Sequence, residues 1–264
     1  MRLKTIASFQ LKTAVDCPVV AMLRPQSGHG QWLVEERYEL TPWTRATEYV
    51  DVYGNLCQRF TALAGKMAIK VITEIETEEQ IAVEPSAPAT PVADLPSDIL
   101  MFLLQSRYCP SEQMADRALE IVGSCQPGYE QAEKIRLWIH QNIRYQYGVS
   151  DASTDALETL KHGAGVCRDF SHIGIALCRS LNLPARLVVG YLYGLDPMDL
   201  HAWYEVYAGG RWYTFDATQP EPKGGRVVLA YGRDAADVAF ISSYGNMEIE
   251  NMRVEVVAVD APQN

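Results

Sequence analysis

An α+β fold preceded by a small β-sandwich is the architecture this sequence predicts, and three observations carry it. Apolar and polar residues alternate through short, turn-bounded stretches up to about residue 83. A stretch with four prolines, EPSAPATPVADLPSD, follows. Beyond it, segments of helical period come first and strand-like segments later, the order of an α+β domain and not of a βαβ parallel sheet. The expected units are residues 1–83 (β-sandwich), 84–97 (proline-rich linker or extended crossing segment) and 98–264 (the α+β domain).

The N-terminus alternates Leu3, Thr5, Ala7, Phe9 and Leu11, a strand with one buried face. VVAML, QWLVEERYEL, YVDVYGNLCQRF with its Tyr-Gly-Asn turn signal, and MAIKVITEIE supply further short strands, the spacing of a small sandwich. The proline-rich stretch has too little bulky apolar content to build a core. Helices are expected over SEQMADRALEIVG and over GYEQAEKIRLWIHQNI, where Ala132, Ile135, Trp138, Ile139 and Ile143 share a face. TDALETLKHG predicts a short helix, with Asp155 and Glu158 in capping-box spacing and Gly163 as its stop. A helix then begins near Val166, followed by strands over ARLVVGYLYG, HAWYEVY, RWYTFDA, GRVVLAYG and NMEIENMRVEVVAV.

At 264 residues, nearly half of them apolar, the chain can bury a sizeable core. Its net charge of −10, without a Lys/Arg cluster, argues against a nucleic-acid or anionic-membrane surface. No apolar run reaches membrane-spanning length and the N-terminus lacks the uninterrupted apolar stretch of a signal peptide, so the expected compartment is the cytoplasm. Six cysteines are scattered without a C-x-x-C, which suits neither a disulfide scaffold nor a zinc ribbon; no cofactor and no metal are expected. Cys167 and Cys178, eleven positions apart, lie roughly 16 Å apart along one helix and cannot be bridged within it.

Cys167 is the first candidate for chemistry. The helix it opens has Phe170, Ile173, Leu177 and Leu181 on its buried stripe, and Cys167 lies close to the same side. At a helix N-terminus, unpaired N–H groups and the positive end of the dipole favour a thiolate. Gly174 points nearly the same way and would let another element approach closely. A small buried hydrophobe is the competing reading of this cysteine. His172, five residues on, lies roughly 140° round the helix and is a poor partner.

The second constellation is HAWYEVYAGGRWYTFDAT, two strand-like stretches around an Ala-Gly-Gly turn signal. If Tyr207 pairs with Gly210, His201 and Asp216 are directly opposed; if it pairs with Trp212, they are diagonal neighbours on one face. Pairing of Tyr207 with Arg211 would put them on opposite faces, so the hypothesis forbids that register. Asp216 would orient His201, and His201 would share a proton with Cys167 and later protonate a leaving amine. His29, His140 and His162 read as solvated or structural, and Trp203 is placed to shield the His201–Asp216 bond or to pack the core.

These residues carry a resemblance. GAGVCRDFSHIGIALCRSLNLPARLVVGY followed by HAWYEVYAGGRWYTFDAT resembles the transglutaminase-like superfamily, in particular its bacterial cysteine-peptidase-like members with a β-rich N-terminal domain, over roughly residues 95–245. The resemblance implies a papain-like core in 98–264, with a cysteine-bearing helix packed on an antiparallel sheet, and it implies Cys167, His201 and Asp216 as the catalytic residues. It also sets Arg233 and Asp234 at the border of the site, with a structural salt bridge as the alternative. Ala217 departs from the family's F-D-P-T by replacing its proline. Arg168 and Asp169 follow the cysteine as in the family, either as contacts supporting it or as a helix cap.

The function so implied is acyl transfer on amide bonds of a peptide or protein through an acyl-thioester. Hydrolysis by a peptidase or amidase is preferred, since the resembling branch is peptidase-like and no D-x-D-x-D-G calcium loop is present. Transamidation uses the same residues. A non-catalytic binding module on the same fold and an acyl-CoA-dependent N-acyltransferase are the alternatives from other classes. The Cys167 N–H is the first oxyanion donor, and the sequence leaves the second unassigned.

Overall fold

The computed structural model describes residues 1–28 and 30–259. Six strands come first: β1 (Arg2–Thr13), β2 (Cys17–Ala21), β3 (Gln31–Thr41), β4 (Thr47–Val50), β5 (Leu56–Ala62) and β6 (Gly65–Thr77). The next elements are α1 (Ala115–Val122), α2 (Tyr129–Asn142), β7 (Arg144–Tyr145), α3 (Ala156–His162), β8 (Ala164–Gly165) and α4 (Cys167–Ser180). The chain closes with β9 (Ala185–Leu192), β10 (His201–Ala208), β11 (Arg211–Phe215), β12 (Arg226–Gly232), β13 (Ile241–Ser243) and β14 (Met247–Ala258). No described helix is long and apolar enough to cross a membrane.

The alternation of β1 decides its orientation. Leu3, Thr5, Ala7, Phe9 and Leu11 are all buried, and the Thr5 hydroxyl is satisfied by Thr73 Oγ1 at 2.6 Å. β1 lies in a four-stranded antiparallel sheet ordered β14-β1-β6-β3, facing a second ordered β13-β2-β5-β4. Leu3, Phe9 and Leu11 meet Val19, Phe60 and Ala62 between them.

Both sheets take a strand from the far end of the chain. β14 pairs with β1 and β13 with β2. The sandwich is therefore closed from both ends, where the sequence assigned all of 98–264 to the second unit. The physical reason is the exposed edge: without β14 the ladder groups of β1 would be unpaired, and the alternation of NMEIENMRVEVVAV fits this edge, burying Val254 and Val256.

The proline-rich segment is laid along the second unit. The Ala89 N–H donates to the Pro127 carbonyl at 2.9 Å and the Gly209 N–H to the Pro88 carbonyl at 2.8 Å. Gly128, at φ +121°, permits the approach, since a Cβ there would fall 2.3 Å from the Ala87 oxygen.

The second unit has the antiparallel sheet order β11-β10-β9-β12, with α4 packed on β10 and β9 and surrounded by α1, α2 and α3. This is the α+β arrangement expected, with the cysteine-bearing helix on the sheet. α4 is buried on every side from Asp169 to Arg179, more than a one-sided stripe. Gly174 is the contact residue: a Cβ would lie 2.4 Å from the Tyr204 ring. α3 starts with the expected capping box between Asp155 and Glu158 and ends at Gly163, φ +63°.

Two side-chain amides join the units. β12 is an edge strand, and Gln31 pairs with both backbone groups of Val228 (2.8 and 2.9 Å) as a strand would. Asn55 does the same for Tyr231 (2.7 and 2.8 Å). Tyr191, Val227 and Leu229 complete the contact by packing into the sandwich core.

Candidate active site

The start of α4 explains the residues around Cys167. Val166 has no side-chain acceptor, so Asp169 reaches back and its Oδ2 accepts the Val166 N–H at 2.9 Å and the Ser150 hydroxyl at 2.5 Å. Its Oδ1 accepts from Arg168 Nε and Nη2 at 3.0 and 2.8 Å. Gly165 leaves room for this carboxylate, since a Cβ there would fall 2.7 Å from Asp169 Cβ. Arg168 and Asp169 are thus a helix cap, which holds Cys167, half-buried, at the first turn.

The β10–β11 hairpin supplies the other side. Ala208 pairs with Arg211 across Gly209 and Gly210, whose φ values of +54° and +83° suit the tight turn. Tyr207 faces Trp212, one of the two permitted registers, and His201 and Asp216 meet as diagonal neighbours on one face. The His201 Nε2 to Asp216 Oδ2 distance is 2.7 Å. His201 and Asp216 are 2% and 4% exposed. Since Nε2 is taken, Nδ1 is the nitrogen left for Cys167, which is close enough to favour the charged imidazole.

Asp216 holds two cations. Arg226 Nη2 reaches the same Oδ2 at 2.9 Å, while Oδ1 accepts the Thr218 N–H and hydroxyl at 3.0 and 2.7 Å. Burial alone would raise this carboxyl, but the charges of His201 and Arg226 and the hydrogen bonds hold it well below the usual carboxylate range. Burial likewise depresses His201, yet the Asp216 charge and hydrogen bond, aided by Cys167, lift it to about 9. The Trp203 ring lies 6.0 Å from the His201 ring, and the Arg226 guanidinium stands 4.8 Å from the Trp203 centroid. Trp203, 1% exposed, thus excludes water from the pair and packs the core at once.

Two neighbours escaped the sequence reading. Arg226 opens the buried strand GRVVLAYG; a cation beginning an apolar strand needs a buried acid, and that was the available signal. Tyr145 is brought to Cys167 by the parallel pairing of β7 with β8, Tyr145 opposite Gly165. Partial burial, then the adjacent Cys167 sulfur, push its phenol up.

The remaining histidines stay apart from this cluster. His172 is stacked on Tyr108 at 5.0 Å and accepts the Ala235 N–H at 3.2 Å; burial, then the charge of Arg168, push it down to about 3. His140 Nδ1 meets the Ala217 carbonyl at 3.0 Å, His162 is exposed on α3, and His29 lies outside the described residues. Arg233 pairs with Asp237 at 2.8 Å, while Asp234 accepts the backbone N–H groups of Tyr108 and Ala236 at 2.7 and 2.8 Å. Both residues therefore hold the loop after β12, and they are not paired with each other.

A family model described as the transglutaminase-like superfamily matches residues 115–217, which span Cys167, His201 and Asp216. A second, described as the bacterial transglutaminase-like N-terminal region, matches residues 12–78. A crystal structure of "a putative cysteine protease" from Cytophaga hutchinsonii is 33% identical and superposes with a TM-score of 0.93, covering 100% of this chain and 92% of that one. The chain belongs to the transglutaminase-like superfamily. Its core has the papain-like arrangement of that superfamily, with the β-rich region ahead of it. An uncharacterized protein of Mycobacterium leprae is 28% identical over 236 residues, 83% of each chain.

Proposed function

We propose that this member of the superfamily is a cysteine peptidase or amidase, with Cys167 as nucleophile, His201 as acid and base, and Asp216 as the residue that orients His201. One observation carries the reading: Asp216 grips His201 by Nε2, which leaves Nδ1 for the thiol that opens α4.

The sulfur attacks the amide carbon, forming the S–C bond while the carbonyl π pair moves onto oxygen. The Cys167 N–H, at the first turn of α4, and the Tyr145 hydroxyl beside Cys167 are the donors at hand for that oxyanion. His201 gives its Nδ1 proton to the leaving nitrogen, the C–N bond breaks, and an acyl-thioester remains. His201 then takes a proton from water, whose oxygen bonds the acyl carbon as the C–S bond breaks. Hydrolysis is supported over transamidation by the description of the Cytophaga hutchinsonii relative, at 33% identity over the whole chain.

Intact-mass measurement during incubation with peptide amides and acyl thioesters tests this. The expected result is an acyl adduct on Cys167 that decays to free acid, unchanged in yield by added primary amine. Absence of any adduct across the panel would contradict the reading, and diversion of the acyl group onto the amine would replace hydrolysis by transamidation.

A further inference from the structure

A cavity of about 380 Å³ opens at Cys167 and His201 and runs away from the helix toward the sandwich. Leu187, Val189 and Ala202 of the sheet that carries His201 line it, with Val238 and Phe240 of the loop after β12. Its far wall comes from the other unit: Phe9 of β1, with Ile249 and Met252 of β14. No carboxylate is among the described lining residues, and Arg168, besides His201 the cationic one, has its guanidinium on Asp169. The cavity thus has the apolar lining and size of a site for a bulky side chain beside the reacting atoms.

We propose that this cavity selects acyl groups bearing a large aliphatic or aromatic side chain, and that the sandwich, through Ile249 and Met252, is part of the specificity wall. This deepens the reading of Cys167 as nucleophile and rests on it. The acyl group is the part of the substrate that stays bonded to the sulfur, and Cys167 itself lines the cavity. An apolar side chain there loses its hydration against Val189, Phe240 and Met252. A carboxylate there meets no free counter-charge in the lining and gives up water for nothing. The return of β14 to β1 is what brings Met252 opposite Phe9, so pairing at the edge of one unit completes the pocket of the other.

The test uses the full chain and chloromethyl ketones of N-acetyl-Leu, -Phe, -Ser and -Asp, in which the Cys167 sulfur displaces chloride from the methylene carbon. Rates of Cys167 modification are read by mass spectrometry, with iodoacetamide as a probe too small to need the cavity. The Leu and Phe reagents are expected to react about ten- to a hundredfold faster than Ser and Asp. In Ile249→Asp/Met252→Asp that advantage is expected to collapse while the iodoacetamide rate holds. Both residues are partly exposed, at 48% and 38%, and Ile249→Thr/Met252→Thr, which keeps β-forming side chains, should show the same loss in weaker form. Equal rates for all four ketones, or a preference unchanged in both double variants, would overturn the proposal while leaving the nucleophile reading intact. If iodoacetamide modifies Cys167 no faster than Cys125, the nucleophile reading falls and takes this inference with it.

Discussion

Two buried histidines, His201 at the start of β10 and His172 within α4, show what distinguishes a reactive neighbourhood from a packed one. His201 and His172 are 2% and 0% exposed, and burial works against charge on both. His201 faces Asp216 and is lifted to about 9, whereas His172 lies flat on Tyr108 near Arg168 and is pushed to about 3. Around neutral pH one is an imidazolium and the other a neutral ring. Burial pushes both rings toward the neutral form, and the counter-charge across the hairpin overcomes it at His201 alone.

The largest effect is expected at the atom that the charged histidine serves. Cys167→Ala should lower amide turnover by about a thousandfold or more, with a thermal unfolding midpoint close to that of the parent because the side chain is only half-buried. Asp216→Asn would make the two sides of the comparison alike by removing the counter-charge. Turnover should fall by about 10² to 10⁴, and urea unfolding should show a loss of about 3 kcal/mol, since Arg226 is left buried without its acid.

The pH dependence sharpens the contrast without a mutation. His201, raised from 6.5 to about 9, contributes stability that is fully present below about 6.5 and is lost as pH rises through about 9. Turnover should decline over the same alkaline range, and unfolding free energies from urea titrations at pH 6, 8 and 10 should fall in that order by at most about 3 kcal/mol in total. A profile flat to pH 10 would remove the imidazolium from the account. The smallest effect on rate is expected at the other histidine: His172→Phe should keep turnover within about threefold, while destabilising the protein by about 1–3 kcal/mol because the Ala235 N–H loses its acceptor.

How far the sequence alone reveals this arrangement depends on the range of each interaction. The strands of the sandwich, the capping box of α3 and the close approach at Gly174 are local or periodic, and they are legible directly. His201 and Asp216 are legible because a hairpin couples positions fifteen apart through its register. Arg226 and Tyr145 are not, since Arg226 reaches Asp216 from an edge strand and Tyr145 reaches Cys167 through a two-residue parallel ladder. The return of β14 to β1 spans most of the chain, and alternation says that a strand has a buried face without saying which sheet receives it.

The central claim is that His201 and Asp216 activate Cys167, and the other cysteines supply its control. Cys17, Cys57, Cys109 and Cys178 are buried, whereas Cys125 is as partially exposed as Cys167 but lies beside Glu130, and burial followed by that charge pushes its thiol up. The most direct measurement is the rate of iodoacetamide modification at pH 6, resolved by cysteine. Cys167 is expected to react at least about tenfold faster than Cys125, with the excess removed by Asp216→Asn. Equal rates at the two cysteines, or an excess that survives loss of the carboxylate, would contradict the account.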